Sequence, residues 1–274
     1  MGKQKPKFNV GNETTAENQA NLSKKRFTQH DLNPFYEPTK PQQQFIDAWN
    51  DGKRIIINDG DAGTGKSAVS LYHMLYDVFS EDKSTRPRKV LIIRSAVSTR
   101  DQGFLPGEQE DKDAVYAEPY RELTNELIKY NNPYDNLVAL GLLQFKTSGN
   151  LRGLTWDYSV VLVDEFQNMD FDELMTIITR CGKRTRIVFC GDTLQNDLKR
   201  TREISGKAEF LAVLNEVNLD DDAKRGDNIE FITYGEDDIV RDDIVKRIIK
   251  ARNRLTKKRD LAEANASTRG KAKN

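Results

Sequence analysis

The most restrictive feature of this sequence is a glycine-rich segment at residues 60–67, which satisfies the phosphate-loop pattern G-x4-G-K-[ST] at every position. A β-branched run at residues 55–57 precedes it, and an apolar helical pattern follows it. Such a run is typical of a parallel strand that is buried on both faces. The glycines let backbone N–H groups turn toward an anion at the positive end of the following helix. The segment therefore predicts an α/β fold with a nucleotide-binding site.

The side chains of this loop have distinct expected roles. Lys66 can reach the β- and γ-phosphates as a point charge, and the Ser67 hydroxyl is placed to bind Mg²⁺. The surrounding backbone would cradle the phosphates. The predicted nucleotide-binding residues of the loop are Gly60, Ala62, Gly63, Thr64, Gly65, Lys66 and Ser67.

A second apolar run, at residues 160–163, leads directly into the adjacent carboxylates Asp164 and Glu165. At the carboxyl end of a strand, Asp164 can hold Mg²⁺ through water, and Glu165 can polarise the attacking water. Because the run lies downstream of a phosphate loop, it predicts a Walker B strand. Ser67 and Asp164 are therefore the predicted metal residues.

A third apolar run, at residues 187–190, is followed by a polar turn. A strand here would place Gln195 near the γ-phosphate, where an amide can distinguish ATP from ADP; an ordinary strand and turn is the alternative. Between the second and third runs, residues 171–180 are predicted to form the crossover helix, with Leu174, Ile177 and Ile178 buried.

Two further polar residues are candidate nucleotide contacts. Gln42 lies near the start of a predicted helix before the phosphate-loop strand, where its amide can read an adenine edge or simply face solvent. Arg241 opens the predicted final helix, residues 238–252, whose inward residues are expected to be Ile244, Ile248 and Ile249. Its guanidinium can meet a phosphate or pair with Asp237 or Asp238.

Four residues are candidate nucleic-acid contacts. Arg94 ends the predicted strand at residues 89–94 and Arg100 lies in the loop after it, on the side where ligands meet open α/β sheets, although surface salt bridges would also explain both. Arg152 and Trp156 lie in a glycine-punctuated loop that suits a phosphodiester and a stacked base. Trp156 can equally anchor the core.

The composition sets the expected organisation of the 274 residues. The hydrophobic fraction is 37% and the charged fraction 31%, which is explained if the polar ends are solvated and the middle is folded. We predict a disordered arm at residues 1–34, one domain at residues 35–252 and a basic flexible tail at residues 253–274. The two cysteines form no metal or disulfide pattern, and no apolar run is long enough to span a membrane. These features favour a cytoplasmic protein.

Taken together, these motifs resemble the PhoH-like ATPases, a family related to the superfamily 1 helicases. The order of the motifs carries the resemblance: Pro-Thr-Lys-Pro-Gln at 38–42, the phosphate loop at 60–67, Gly-Phe-Leu-Pro-Gly at 103–107, Arg-Gly-Leu-Thr at 152–155, Val-Asp-Glu-Phe-Gln-Asn at 163–168, Gly-Asp-Thr-Leu-Gln at 191–195 and Asp-Ile-Val-Arg at 238–241. Asp61 stands where the family usually has proline, and Phe166 where it usually has alanine.

The resemblance implies a RecA-like P-loop NTPase core, a mostly parallel sheet with helices on both faces, that hydrolyses ATP with Mg²⁺. The expected partner is single-stranded RNA or DNA, and the expected activity is that of a helicase or translocase. Catalysis would rest on Lys66, Asp164, Glu165, Gln195 and Arg241. Superfamily 1 enzymes clamp ATP between two such domains, and only one fits here. We therefore expect a homo-oligomeric ring, such as a hexamer.

Three other functions remain open at this point. The first is an ATPase, stimulated by nucleic acid or by a protein partner, that does not unwind strands. A small-metabolite kinase is disfavoured because the stretches at 164–168 and 191–195 belong to hydrolases that position water. A nucleotide-binding scaffold without turnover is disfavoured by Glu165.

Overall fold

Six strands form one sheet in which every neighbouring pair runs parallel. The structure is a computed structural model that describes residues 26–34, 37–82, 84, 86–95, 109–151, 155–192, 206–219 and 228–271. The strands are β1 (Ile55–Gly60), β2 (Lys89–Arg94), β3 (Leu143–Thr147), β4 (Ser159–Asp164), β5 (Arg186–Gly191) and β6 (Ile229–Tyr234). Their order is β3-β2-β4-β5-β1-β6. The carboxyl ends of all six strands therefore lie along one edge.

Seven α-helices lie within the described residues. They are α1 (Lys40–Asn50), α2 (Lys66–Val78), α3 (Gln109–Leu127), α4 (Pro133–Ala139), α5 (Phe171–Thr179), α6 (Gly206–Leu219) and α7 (Asp243–Lys271). Short 3-10 helices occur at Gln29–Asp31, Ser148–Asn150, Phe166–Asn168 and Glu236–Asp238. In this described part of the chain, no helix combines the length and the apolar character needed to cross a membrane.

The sheet separates two hydrophobic cores. Alternate strand residues point to opposite faces, so Ile56 and Val160 face one core while Ile57 and Val161 face the other. Helices α1 to α4 cover the first face, and α5 and α6 cover the second. The predicted fold class, a mostly parallel α/β sheet with helices on both faces, is confirmed.

Local sequence explains where the helices begin. Thr39 caps α1 and Pro41 occupies its first turn, where a missing N–H costs nothing. Asp170 caps α5 by accepting a hydrogen bond from the Glu173 N–H. The crossover helix thus begins where the sequence predicts, with Leu174 and Ile177 buried.

The final helix differs from the prediction in its start and in its buried face. It begins at Asp243, after the 3-10 turn at Glu236–Asp238. Ile244 is 54% exposed and Ile248 is 61% exposed, so the prediction that both face inward was wrong. The third predicted residue, Ile249, is half-buried, and the fully buried Asn253 lies one turn further along on the same face.

The structure shows contacts or helix beyond both predicted domain boundaries. At the amino end, Phe27 is buried and its ring stacks on Phe79 with centroids 5.2 Å apart, although residues 1–34 were expected to be disordered. At the carboxyl end, α7 continues to Lys271 instead of giving way to a loose tail at residue 253. Its Ala, Lys, Arg, Glu and Leu residues have high helix propensity. A charged composition of this kind is also typical of disordered segments, so composition alone does not distinguish the two.

Both cysteines are free thiols. Burial raises the pKa of Cys181 and of Cys190 to about 12 in each case. Neither thiol is a reactive nucleophile at neutral pH, because the thiolate is the reactive form.

The half-buried Arg186 connects α1, α2 and β5 at the amino edge of the sheet. The Arg186 guanidinium lies 3.6 Å from the centroid of the Trp49 ring and donates to the Trp49 carbonyl at 2.6 Å. Its Nη1 lies 3.6 Å from Oδ2 of Asp77, which also accepts from the Trp49 indole at 3.1 Å. Burial lowers the pKa of Arg186 to about 10 and raises that of Asp77.

We expect Arg186→Met to lower the free energy of unfolding by about 2–4 kcal/mol, because it leaves the half-buried Asp77 carboxylate without its cation. Urea unfolding monitored by circular dichroism measures this change. Lys250→Met is the matched control: it breaks an ion pair with Asp237, whose side chain is 94% exposed, and should leave the midpoint unchanged. Equal losses in the two variants would contradict the role of Arg186.

Candidate nucleotide-binding site

The glycine-rich loop connects the carboxyl end of β1 to the first turn of α2. Gly63 and Gly65 have φ angles of 78° and 77°, a left-handed conformation that glycine adopts without strain. Lys66 is the first residue of α2, so the loop delivers its N–H groups to the positive end of that helix. The local fold is that of a phosphate loop.

Gly60 is required by the close approach of β6. It pairs with Tyr234 in the sheet and has a φ of 148°. A β-carbon on Gly60 would overlap the Tyr234 carbonyl group. The Asp61 N–H donates to that same carbonyl at 3.0 Å, which fixes the entry into the loop.

Lys66 is folded back onto the loop. Its ammonium group donates to the Gly60 carbonyl at 3.0 Å, to the Asp61 carbonyl at 2.7 Å and to Thr64 Oγ1 at 3.2 Å. The side chain is 9% exposed. A phosphate group that entered the loop would replace these neutral acceptors with charged oxygens, which bind an ammonium more strongly.

The Asp164 carboxylate is held from both sides at the end of β4. Ser67 Oγ donates to its Oδ1 at 2.8 Å, and the hydroxyl of Tyr120 donates to its Oδ2 at 2.8 Å. Tyr120 is fully buried, and burial beside Asp164 raises its pKa well above the usual value. Tyr120 is therefore a neutral donor that fixes the orientation of the aspartate.

Glu165 is the next residue along the chain and adopts a left-handed conformation, with φ 55°. Gln167 Nε2 donates to its carboxylate, and Gln167 Oε1 accepts from the Asp192 N–H at 3.0 Å. Burial, together with the Asp164 charge, raises the pKa of Glu165. A carboxylate with a raised pKa accepts a proton more readily, as a general base must.

Gln42 contacts the phosphate loop directly. Its Nε2 donates to the Thr64 carbonyl at 2.9 Å, and its Oε1 accepts from the Thr39 N–H at 3.0 Å. The residue is 4% exposed, so it does not face solvent. One amide N–H and part of the oxygen remain for an adenine edge.

The segment after β6 covers the other side of the loop. The Val240 N–H donates to the Gly63 carbonyl at 3.0 Å, and a β-carbon on Gly63 would lie 3.0 Å from Cγ of Arg241. From α7, Asn253 Nδ2 donates to Asp61 Oδ1 at 3.0 Å. Arg241 is thus placed beside the loop, and it has no ion pair with Asp237 or Asp238 among the described residues.

Both departures from the usual family pattern have structural partners. Asp61 is bonded to Asn253, although burial and the nearby Asp192 and Glu236 charges raise its pKa. Phe166 is fully buried, and its ring lies against Gly191, where a β-carbon would collide with it.

The candidate nucleic-acid residues are only partly described. Arg94 is half-buried at the end of β2, beside Asp164 in the strand register, and its charge opposes the rise in the Glu165 pKa. Trp156 is 4% exposed and belongs to the core, so base stacking by its ring was a wrong interpretation. Gln195, Arg100 and Arg152 lie outside the described residues.

Sequence reasoning missed three residues of this site. They are Tyr120, Gln167 and Asn253, which position Asp164, Glu165 and Asp61 respectively. Gln167 stands two residues after Glu165, so proximity could have indicated it. In the sequence, Tyr120 belongs to an apolar helical pattern with Leu123 and Leu127, which predicts packing and no role at a site, and Asn253 is the first residue of the expected tail.

Oxygen atoms that suit Mg²⁺ converge at this site. Mg²⁺ is usually held by one or two protein oxygens, several waters and the substrate phosphates. The Ser67 hydroxyl and the Asp164 carboxylate lie together next to the phosphate loop and fit this donor set. No cluster of three or more His, Cys, Asp or Glu side chains that could hold a metal alone occurs in the described residues.

The parallel sheet, the phosphate loop after β1 and the two carboxylates after β4 define a RecA-like P-loop NTPase. A family model described as PhoH-like protein matches residues 36–253 of this chain. The chain belongs to the PhoH-like protein family.

Several curated proteins are similar to this chain. A PhoH-like protein of Bacillus subtilis is 27% identical over 214 residues, which cover 78% of this chain and 62% of the relative. Protein PhoH of Escherichia coli K12 is 26% identical, covering 81% and 59% respectively. Protein PhoH2 of Mycolicibacterium smegmatis is 32% identical, covering 58% and 36%. The chain thus matches between about one third and three fifths of these relatives' lengths.

A solved structure of Pif1 helicase from Candida albicans also aligns with this chain. The TM-score is 0.32 and the sequence identity 15%, over 73% of this chain and 40% of that one. A similarity this low establishes no shared function.

We expect Gly60→Ala to destabilise the protein by about 3 kcal/mol or more, because the new β-carbon collides with β6 backbone at a φ that alanine rarely adopts. Thermal unfolding, together with the binding of a fluorescent ATP analogue, measures the loss. Gly149→Ala is the control, since open space surrounds that position. A Gly60→Ala variant as stable as Gly149→Ala would show that the strand contact is not constrained.

Asp61→Asn keeps an acceptor for Asn253 but removes a charge beside the anion site. Folding raises the pKa of Asp61, so the folded state favours the protonated carboxyl. The stability that this carboxyl contributes is therefore present at low pH and is lost as the pH rises through its pKa in the folded state. The variant should therefore be more stable than wild type at neutral pH, and the difference should shrink as the pH falls toward 3.8. We also expect nucleotide affinity to rise about two- to tenfold.

The pH dependence of urea unfolding and isothermal titration with ATP test this expectation. Asp51→Asn, at the exposed end of α1, removes the same charge away from the loop and serves as the control. An Asp61→Asn variant that is less stable than wild type at neutral pH would contradict the conclusion that the Asp61 charge destabilises the fold.

Proposed function

We propose that this protein hydrolyses ATP in a Mg²⁺-dependent reaction that is coupled to single-stranded nucleic acid, as a helicase or translocase. One observation carries the hydrolase assignment. At the edge of the phosphate loop, Asp164 is bonded to Ser67 while the adjacent Glu165 has a raised pKa. One carboxylate that can hold a metal and a second that can accept a proton, both next to a phosphate loop, suit an enzyme that positions a nucleophilic water.

The residues around the phosphates would act in sequence. Lys66 exchanges its contacts with the Gly60 and Asp61 carbonyls for phosphate oxygens, and the loop N–H groups hold the triphosphate. Glu165, kept in place by Gln167, orients a water in line with the γ-phosphate and accepts its proton. The phosphoryl group passes to that water, and ADP leaves with the bridging oxygen.

Ser67 and Asp164 would hold Mg²⁺, which would neutralise charge on the phosphates when bound. Tyr120 keeps the Asp164 carboxylate in one orientation. Gln42 would recognise the adenine, and Gln195 would sense the γ-phosphate.

Transition-state charge requires a cation in addition to Lys66. Within the chain, Arg241 and Arg94 would contribute this positive charge, which is supported by the position of Arg241 beside the phosphate loop and by the register of Arg94 with Asp164. A ring of subunits, such as a hexamer, would supply a further arginine from a neighbour. Such an arginine typically contributes a factor of about 10³–10⁵ in rate.

Nucleic acid as the partner is supported by membership of the PhoH-like family and by the arginines at the carboxyl edge of the sheet. An ATPase without unwinding activity is the second candidate, because the described residues contain one phosphate-loop domain. Strand displacement measured on a forked duplex separates these two functions. A cytoplasmic location is part of the same proposal and agrees with the two free thiols.

We expect Glu165→Gln to lower ATP hydrolysis by about 10²-fold or more while ATP binding persists, because the amide keeps the Gln167 contact but cannot accept a proton. Phosphate release is measured with and without poly(U) and poly(dT). Glu118→Gln, on the exposed face of α3, is the matched control.

Stimulation of wild-type ATP hydrolysis by one polymer would support coupling to nucleic acid and would show whether RNA or DNA is preferred. Full activity in Glu165→Gln would exclude its role as the base. An absence of turnover in the wild-type protein, with or without polymer, would contradict the hydrolase assignment itself.

A further inference from the structure

A second cleft opens at the amino edge of the sheet, at the opposite ends of the strands from the phosphate loop. Its volume is about 510 Å³, within the range of ligand-binding clefts. We call it the arginine cleft, and its charged and aromatic lining residues are Arg54, Asp77, Arg86, Tyr158, Arg184 and Arg186.

The lining carries a strong excess of positive charge, although the chain as a whole is neutral. Four guanidinium groups face a single carboxylate, that of Asp77. The Asp77 charge is already engaged by Arg186. Arg54, Arg86 and Arg184 are therefore the uncompensated charges of this lining, which favours an anionic ligand.

These three arginines keep hydrogen-bond donors for a ligand. Arg184 donates through Nη1 to the Ser84 carbonyl at 2.9 Å, and Arg86 donates through Nη1 to the Ser80 carbonyl at 3.0 Å. The Arg54 guanidinium has no hydrogen bond or ion pair among the described residues. Each guanidinium has five donors, so most of them remain for phosphate oxygens.

A half-buried aromatic ring lies among these charges. The Arg88 guanidinium lies 4.7 Å from the centroid of the Tyr158 ring, and the Arg184 guanidinium lies 5.9 Å from it. Planar guanidinium groups and aromatic rings are the surfaces on which proteins stack unpaired bases. A small inorganic anion would use the arginines but not this ring.

The backbone of the cleft adopts two unfavourable conformations. Tyr158 has a φ of 51° and Arg184 a φ of 52°, left-handed values that cost non-glycine residues about 1–3 kcal/mol each. Two short hydrogen bonds hold this turn: the Tyr158 N–H donates to the Lys183 carbonyl at 2.7 Å, and the Arg88 N–H donates to the Tyr158 carbonyl at 2.6 Å. Such conformations cluster at binding sites, where they aim side chains.

We propose that the arginine cleft binds the backbone of single-stranded nucleic acid, with Arg54 and Arg184 on successive phosphates and one base stacked on the Arg88–Tyr158 pair. This inference rests on the proposed function, which supplies the polymer. It places the strand about 20 Å from the ATP phosphates, the length of a six-residue strand. The cleft is therefore separate from the arginines at the carboxyl edge.

The test measures fluorescence anisotropy of labelled 20-nucleotide oligo(U) and oligo(dT) across a salt series, without nucleotide. We expect Arg54→Gln with Arg184→Gln to weaken binding at least tenfold and to reduce the slope of log K against log[salt] by about 1.4, because two phosphate contacts are lost. Tyr158→Leu should weaken binding and leave that slope unchanged.

Lys129→Gln is the control for loss of a surface cation outside the cleft, and it should bind as wild type does. Arg54→Gln alone removes no hydrogen bond among the described residues, so it remains folded and should still lower the slope by about 0.7. Nucleotide-free binding that is unchanged in all the cleft variants would overturn the cleft proposal while leaving the proposed function intact.

Two further outcomes are decisive. If wild-type protein bound neither oligonucleotide, the cleft proposal and the nucleic-acid part of the proposed function would both be overturned, whereas basal ATP hydrolysis would still support the enzyme. If poly-L-glutamate of equal charge competed as well as oligo(U), the cleft would be a site for acidic peptides instead.

Discussion

Parallel strand pairing is the constraint on which the rest of this molecule depends. Strand β1 is bonded to β5 on one side and to β6 on the other, and β4 lies beyond β5. Because all of these strands run in one direction, their carboxyl ends reach the same edge of the sheet. Ser67 and Asp164 are 97 residues apart in sequence, yet their side chains are 2.8 Å apart in the fold. An antiparallel neighbour at any of these positions would have placed its end group on the far side of the sheet and left the site incomplete.

The sequence predicts a residue of this site when that residue belongs to a contiguous motif, and it fails when the residue is distant in sequence from the group it contacts. The phosphate loop and the Walker B strand are contiguous patterns in which neighbours along the chain serve the same ligand, so they can be recognised without a structure. Tyr120 and Asn253 act on residues that are 44 and 192 positions away. Their identities carry no local signal, because a tyrosine on an apolar helix face and an asparagine near a polar tail are ordinary in both places. Only the packing of α3 and α7 against the sheet gives them a role.

The helices show the same limit in another form. For α5 the apolar residues and the buried face coincide, so periodicity identified Leu174 and Ile177 correctly. For α7 the fully buried residue is the polar Asn253, and two of the three isoleucines that periodicity selected, Ile244 and Ile248, lie on the exposed side. Phe27 is a related case: a single aromatic residue in a polar segment packs on Phe79, and no average over a window detects it. Periodicity therefore succeeds where burial is apolar and continuous, and fails where one residue makes the contact.

The hydrogen bond between Asn253 and Asp61 couples the position of α7 to that of the phosphate loop. Helix α7 extends from Asp243 to Lys271, and Asn253 fastens it to the phosphate loop. The part beyond Asn253 is about 27 Å long at 1.5 Å per residue. A rotation of about 10° at the loop would displace the far end by about 5 Å, given that length. The length of α7 beyond Asn253 would therefore turn a small rotation at the phosphate loop into a displacement of several ångströms at the end of the helix.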